Sequence, residues 1–395
     1  MQPARLLSQS LSLGPLTVPN RIVMPPLVIW RADESGTVTD EHLDHYARSA
    51  GPGLVIAEAT TVDPAGRLAA TQLGVWTDDQ IEGLTRLATT IHASGALAGI
   101  QIHHAGGSTR LASTYGAAPR VPTLLDSSPE GATELTEGEV SQLVEAFRLG
   151  VRRALAAGFD VIELHGAHRY LISQFLSPET NRREDRWGGS PEKRRAFLLA
   201  VIEAARGEIK AAGRERSAAL TVRLGLAASH PNALPLEEGL AAARAAVEAG
   251  VDLLDISNGG AIDEEDGARI AEFTSTLRDA LELSVPGWEP PPTLLLAGAA
   301  KLSVGVPVIG VNGVKRPEEA AAVIESGVAD MVAVGRGILA DPGWARKALG
   351  EERREIQLCE ECRPRCFWFK QPPKCPARRK LAARGEQPPV EYPEQ

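Results

Sequence analysis

Basic runs, long apolar runs and dispersed cysteines are what this sequence lacks, and each absence removes a class of function. No long basic run precedes the C-terminal tail, and the formal charge is −9 at neutral pH. That balance repels a phosphate backbone and argues against nucleic acid as a partner. No apolar run approaches the roughly 18 residues of a membrane span. The N-terminus, Met1-Gln-Pro-Ala-Arg5, lacks an apolar stretch followed by a small-residue cleavage site. The expectation is a cytoplasmic protein with no membrane partner. All four cysteines lie between Cys359 and Cys375, which is unlike a disulfide framework spread over a secreted fold and points to a local metal site. A Gly-x-Gly-x-x-Gly following a strand is also missing, which leaves a Rossmann dinucleotide site, and the open doubly wound sheet that carries it, without support.

What is present describes an ordinary globular protein. Its 395 residues are 43% hydrophobic and 24% charged, with ample apolar surface to bury. Short aliphatic runs recur along the chain, each followed by a longer amphipathic stretch, the pattern of repeated βα units. Eight strands are expected, at Ile22–Pro26, Leu54–Ala59, Ala98–Ile102, Val161–His165, Leu220–Leu224, Leu253–Ser257, Pro307–Val311 and Met331–Gly335. Most are nearly all apolar, as where both sheet faces are buried. Thr77-Asp-Asp-Gln80 and Thr136-Glu-Gly-Glu139 each place a hydroxyl N-cap three residues before a Gln or Glu. The expected fold is of the α/β class, a (β/α)8 barrel over residues 1–350, followed by a cysteine-rich extension over residues 351–395 whose last dozen residues look unstructured. Residues His104–Leu135 and Ser173–Ser190 read as long loops after the third and fourth strands, on the face where barrels build active sites.

The fourth strand ends in Glu163-Leu-His165-Gly-Ala-His168-Arg-Tyr170, so two imidazoles and a phenol leave the sheet together. Such a cluster can donate hydrogen bonds to one carbonyl oxygen and stabilise the enolate that forms when hydride adds at the β-carbon. The tyrosine can then protonate the α-carbon. A His pair holding a metal, or histidines satisfied by backbone groups, are the alternatives. Gly310-Val-Asn-Gly313 and Val334-Gly335-Arg336 end the seventh and eighth strands, where barrels commonly build a phosphate site, and a monophosphorylated cofactor fits there. Tight turns and a surface arginine are the plainer alternative. Arg223 is a charge inside the apolar run Leu220-Thr-Val-Arg-Leu224. It faces either an anion in the barrel mouth or a strand-end carboxylate such as Asp255 or Glu163. Gln101, at the end of the third strand, can read the edge of a polar ring.

These residues stand among longer motifs: Pro19-Asn20-Arg21-Ile-Val-Met-Pro-Pro26, Glu58-Ala59, Gln101-Ile-His-His-Ala-Gly106, Gly158-Phe-Asp-Val-Ile-Glu-Leu-His165-Gly-Ala-His168, Phe175-Leu-Ser-Pro178, Asn181-Arg-Arg183, Gly188-Gly-Ser190 and Val334-Gly-Arg336. In this order they resemble the old yellow enzyme family of FMN-dependent ene-reductases, especially its bacterial branch near the dienoyl-CoA reductases and single-domain xenobiotic reductases. The resemblance implies FMN as cofactor, NAD(P)H as reductant and a small-molecule activated alkene as substrate, in a ping-pong cycle through flavin N5. It implies that Pro26, Ala59, Gln101 and Arg223 line the isoalloxazine, with Arg223 on the N1/O2 side, where a cation offsets the negative charge of the reduced ring. Gly313, Gly335 and Arg336 match the positions that hold the phosphate. His165 and His168 match the pair that grips the substrate's carbonyl oxygen, Tyr170 matches the proton donor, and Trp30 stands near the substrate. The chain departs from the family pattern at Val28, where relatives place a Thr or Cys against the flavin, and at Trp30, a frequent Tyr. It also departs at Arg169, a usual Gly, and at Gly107, a usual Arg. Arg169 beside Tyr170 would narrow the pocket or attract an acidic substrate.

Cys359-x2-Cys362-x3-Cys366-x8-Cys375 suits either an iron–sulfur cluster or tetrahedral zinc, since both take soft ligands, with free thiols as the alternative. Iron–sulfur members of the family carry a C-x2-C-x3-C here, so the resemblance favours a [4Fe–4S] cluster over zinc. The last spacing is shorter than theirs, and the chain ends before any flavodoxin-like or FAD domain that would feed a cluster. Two further readings stay open: a C–N demethylase resembling trimethylamine dehydrogenase, and a non-catalytic flavin-binding sensor or partner subunit whose cysteine tail docks another protein. The sequence does not set the oligomeric state, and a homo-oligomer is compatible with each reading.

Overall fold

The computed structural model describes residues 3–227, 234–258, 264–362, 366–369 and 371–386. Strands Ile22–Met24 (β1), Leu54–Thr61 (β2), Leu97–His103 (β3), Val161–Gly166 (β4), Ala219–Gly225 (β5), Leu253–Ser257 (β6), Val308–Val311 (β7) and Met331–Ala333 (β8) close into a barrel. They follow one another in chain order and every neighbouring pair is parallel. The expected (β/α)8 barrel is therefore the fold.

Departures from the expected strands lie at their ends. β1 stops at Met24, because Pro25 and Pro26 have no N–H to give the ladder. β2 runs on to Thr61 past a register shift between Ala57 and Thr60, a bulge of the kind that re-aims side chains at a barrel rim. The Thr136 cap is present: its Oγ1 accepts from Glu139 N–H at 3.2 Å and the Glu139 carboxylate accepts from Thr136 N–H at 2.8 Å. It starts the helix Glu137–Ala156, which buries Val140, Leu143, Phe147 and Val151 at helical spacing. The segment expected as a loop from Ser173 begins instead inside a helix, Leu171–Leu176, because all six of its side chains are buried. Most of the tail expected to be unstructured, residues 387–395, lies outside the described residues, and Pro376–Ala383 before it is a helix. No helix of the described residues is long and apolar enough to cross a membrane.

A hairpin of Leu11–Leu13 and Leu16–Val18, absent from the sequence reading, closes the N-terminal end of the barrel. Its Leu13 and Val18 pack with Val161, Ala219 and Leu253 in one apolar cluster of the interior. Side chains alternate along a strand, so the inward positions above that layer are Glu163, Thr221 and Asp255, and above those His165, Arg223 and Ser257. The barrel interior thus passes from apolar at its N-terminal end to polar at its mouth. Two long connections frame that mouth, and polar anchors tie them to each other. Arg183 Nη1 donates to Pro122 O at 2.8 Å, and Arg182 N–H donates to Thr123 Oγ1 at 2.9 Å.

Candidate active site

The chain leaves β4 in a turn with His168 at φ 59° and Arg169 at φ 62°. Two consecutive non-glycine residues in the left-handed region are strained, and they persist because bonds hold the backbone from several sides. His168 N–H donates to Asn258 O at 3.3 Å, Tyr170 N–H to Ala167 O at 3.2 Å, and Leu171 N–H to His104 O at 3.0 Å. The Arg169 carbonyl accepts from Ser108 Oγ at 2.7 Å and from Gln174 Nε2 at 2.6 Å. This scaffold lets an arginine stand where the family pattern has glycine, with its guanidinium 3.5 Å from Glu179.

The turn gathers four rings. His165 Nε2 and His168 Nδ1 are 3.3 Å apart, and His168 Nε2 is 2.8 Å from Ser257 Oγ on β6. The His165 and Tyr170 rings meet edge-on with centroids 4.8 Å apart. His103, the last residue of β3, packs 4.5 Å from Tyr170 and 5.4 Å from His165 between ring centroids. It is fully buried, and neither of its nitrogens is hydrogen-bonded. Neither His103 nor Ser257 stood out in the sequence; the signal available for His103 was its place two residues past Gln101, on the same strand face.

Burial pushes His165 well below the ordinary imidazole range, with His168, His103 and Arg223 adding to the effect. Burial, helped by Arg223, pushes His168 down to about 3. His103 is lowered by burial first and then by His104 and His168. The Tyr170 phenol is pushed up by burial against the opposing pull of Arg223. At neutral pH the group is three neutral imidazoles and one protonated phenol.

Below the rings, Gln101 Nε2 donates to Glu163 Oε1 at 2.8 Å, and Arg223 Nε lies 3.4 Å from Asp255 Oδ2 without a hydrogen bond. Arg223 thus faces the Asp255 carboxylate and also lines a cavity. That cavity is bounded by Leu27 and Arg223 and by Gly313, Lys315, Gly335 and Arg336. Gly313 has φ 76°, and a Cβ there would meet the Pro291 ring at 2.6 Å, so this wall closes only around glycine. Pro25 lines the cavity, beside the expected Pro26. Ala59 sits buried at the bulge of β2. Trp30 follows β1 at φ 58°, after Ile29, whose N–H donates to Glu58 Oε2 at 3.1 Å.

Lys315 was not singled out in the sequence, and neither was its partner. Glu361, from the extension, stands on the cavity rim 2.8 Å from Lys315 Nζ and 3.7 Å from Arg336 Nη2. None of the four cysteines is in a disulfide. Cys366 senses the charges of Cys359 and Cys362, and Cys375 those of Cys366 and Cys362, so they share one neighbourhood. Among the described residues, however, no three or more His, Cys, Asp or Glu side chains are arranged to hold a metal ion. The expected metal site at Cys359, Cys362, Cys366 and Cys375, and the alternative of a metal on the His165 pair, thus find no support in this geometry. Burial raises the Cys366 and Cys375 thiols, and the neighbouring cysteines add to the effect. Cys375 packs in an apolar cluster with Leu339, Ala340, Trp368 and Ala377, against which Cys359 and Cys366 also pack.

A parallel barrel with a glycine-walled cavity, a buried arginine and neutral imidazoles at one mouth is the architecture of a flavin-dependent barrel oxidoreductase. The profile of the NADH:flavin oxidoreductase / NADH oxidase family matches residues 7–355, and the chain belongs to that family. It is 39% identical over 341 residues to an NADPH dehydrogenase of Geobacillus thermodenitrificans, covering 85% of this chain and 92% of that one. It is 38% identical over 360 residues to an NADH oxidase of Thermoanaerobacter brockii, covering 90% of this chain but only 52%, about half, of that protein's length. Among solved structures, an old yellow enzyme homologue from Zymomonas mobilis superposes with a TM-score of 0.74 at 26% identity, over 94% of this chain and 98% of that one.

Proposed function

We propose that this chain is an FMN-dependent NAD(P)H oxidoreductase that reduces the C=C bond of α,β-unsaturated carbonyls or related activated alkenes. The observation that carries this reading is the neutral pair His165 and His168, 3.3 Å apart, beside the Tyr170 phenol. The residues present fit FMN: Gly313, Gly335 and Arg336 would hold the phosphate, and the buried Arg223, with Gln101, the ring. Pro26 and Ala59 would complete the ring's surroundings. When bound, FMN would supply hydride chemistry at N5, between NAD(P)H and the substrate's β-carbon, with both substrates using one pocket in turn.

The chain's own residues do the rest. Ala167 N–H points at His165 Nδ1 at 3.4 Å, which leaves the His165 proton on Nε2, the atom facing His168. Ser257 Oγ can accept from or donate to His168 Nε2. The serine therefore permits the tautomer with the His168 proton on Nδ1, and two N–H groups then converge on one carbonyl oxygen. Neutral donors of this kind stabilise the developing enolate. Tyr170 keeps its proton and can give it to the α-carbon. By the family resemblance, Trp30 and Arg169 would border the space left for the rest of the substrate.

The test is to purify the protein anaerobically, record its spectrum, add NADPH and then cyclohexenone. Bound flavin should bleach with NADPH and recover with the enone. Absence of bound FMN would sink the reading, and flavin that bleaches but is reoxidised by no enone would replace it with a demethylase or a sensor.

A further inference from the structure

The reaction proposed above leaves two buried carboxylates unused. Glu163 on β4 and Asp255 on β6 are fully buried, between the apolar layer of Val161, Ala219 and Leu253 and the mouth. Few polar groups face them. Gln101 on β3 donates to Glu163 Oε1 at 2.8 Å, and Arg223 on β5 lies 3.4 Å from Asp255. Thr221, also on β5, spends its hydroxyl on Leu253 O at 2.8 Å. His165, next on Glu163's own face, is neutral. Glu163 Oε2 and both Asp255 oxygens have no hydrogen-bond partner. One guanidinium therefore serves two carboxylates, and the negative charge left over is removed most simply by a proton. Consistent with that, burial and the Asp255 charge push Glu163 up to about 8 against the pulls of Arg223 and Gln101, and burial raises Asp255 as well.

We propose that Glu163 is a positioning residue that holds a proton beneath Arg223, so that the guanidinium's charge is available to the flavin when the flavin becomes negative. With the proton in place, Glu163, Asp255 and Arg223 together are neutral. Without it they carry one net negative charge, and Arg223 is offset before any electron arrives. Hydride from NAD(P)H brings two electrons and one proton to the ring and leaves one negative charge there. Where Glu163 is ionised beforehand, that charge draws one further proton from solvent onto the carboxylate pair. The inference rests on the placement of the ring against Arg223 and Gln101 proposed above.

Spectroelectrochemical titration of the FMN-loaded protein from about pH 6 to about pH 9.5 tests it. The expected result is one proton taken up per two electrons on the acid side, rising toward two on the alkaline side of the Glu163 titration. Glu163→Gln cannot release the proton and should keep the ratio at one throughout. A wild-type ratio of one across the range, or a rise that survives in Glu163→Gln, overturns the proposal. If that variant does not fold, infrared difference spectra of the wild type at alkaline pH decide. A carboxylic-acid carbonyl band that appears on reduction and shifts in D2O supports the proposal, and its absence overturns it. A protein that binds no FMN overturns the ring placement and this inference with it, whereas bound FMN with a flat ratio overturns this inference alone.

Discussion

The barrel mouth and the cysteine-bearing extension both gather reactive side chains, yet they hold them in different ways. At the mouth the rings come from strand ends and a turn whose backbone is bonded to the β3, β4 and β6 connections, firmly enough to keep His168 and Arg169 in the left-handed region. In the extension Cys359 and Cys362 stand on irregular chain, Cys366 precedes the single turn Phe367–Phe369, and Cys375 precedes the helix Pro376–Ala383. Preorganisation of the first kind fixes which atoms meet, and it is what a reacting oxygen needs. Side chains of the second kind can share a neighbourhood without forming a site.

The largest expected effect lies at the mouth. His165→Ala removes one of the two donors proposed to converge on the substrate oxygen, so kcat/KM for cyclohexenone should fall by about 10²–10³-fold. FMN should stay bound, because Arg223 and the glycine-walled cavity are untouched, and its reduction by NADPH, which uses the same pocket, should slow less than its reoxidation by the enone. Stopped-flow spectra of the two half-reactions separate these effects, and phenolic ligands should bind more weakly. Loss of flavin from His165→Ala would erase the distinction between clamp and cofactor seat.

Strand periodicity explains why much of the mouth was legible in the sequence. Gln101, His165 and Arg223 sit at inward positions of strands whose apolar runs already marked them, and a charge such as Arg223 in such a run demands a partner. The fold was legible for the same reason, with the eight aliphatic runs matching the barrel strands. His103 was hidden because the strand reading stopped at Ile102, one residue before β3 ends. The hairpin plug was hidden because Leu11–Leu13 and Leu16–Val18 are three residues each, too short to show a period. The bridge from Glu361 to Lys315 and Arg336 joins distant loops, and no local spacing encodes it. For the cysteines, sequence spacing named a chemistry but could not supply the geometry that would make four thiols one ligand set.

The rim contact is where the extension meets the cavity proposed to hold the cofactor. Glu361 draws Lys315 and Arg336, which line the cavity expected to hold the phosphate. All three side chains are a third or more exposed, so solvent screens the contact and its effect is modest. Glu361→Gln should free both cations and tighten FMN binding by about two- to five-fold. Titrating the deflavinated protein with FMN and with riboflavin reads this. The gain should appear with FMN and vanish with riboflavin, which has no phosphate. Unchanged FMN affinity would mean that the extension borders the cavity without acting on it.

The smallest effect is expected at Cys375, and it decides what the extension is. This side chain is buried, 8% exposed, in an apolar cluster with Trp368 and Ala377. As a packing residue it behaves like a small hydrophobe. Cys375→Ala then removes one sulfur's worth of contact and costs about 1 kcal/mol, read as a small drop in Tm with flavin content unchanged. A metal ligand behaves otherwise, because ligand loss forfeits binding energy that is also folding energy. Iron, sulfide and zinc assays on anaerobically purified wild type and Cys375→Ala separate the two. Stoichiometric metal in the wild type that disappears in the variant, together with loosening of residues 366–386 to protease, would move the extension into the same category as the mouth. A shift of about 1 kcal/mol with no change in metal content keeps the two regions apart, one built for chemistry and the other for packing.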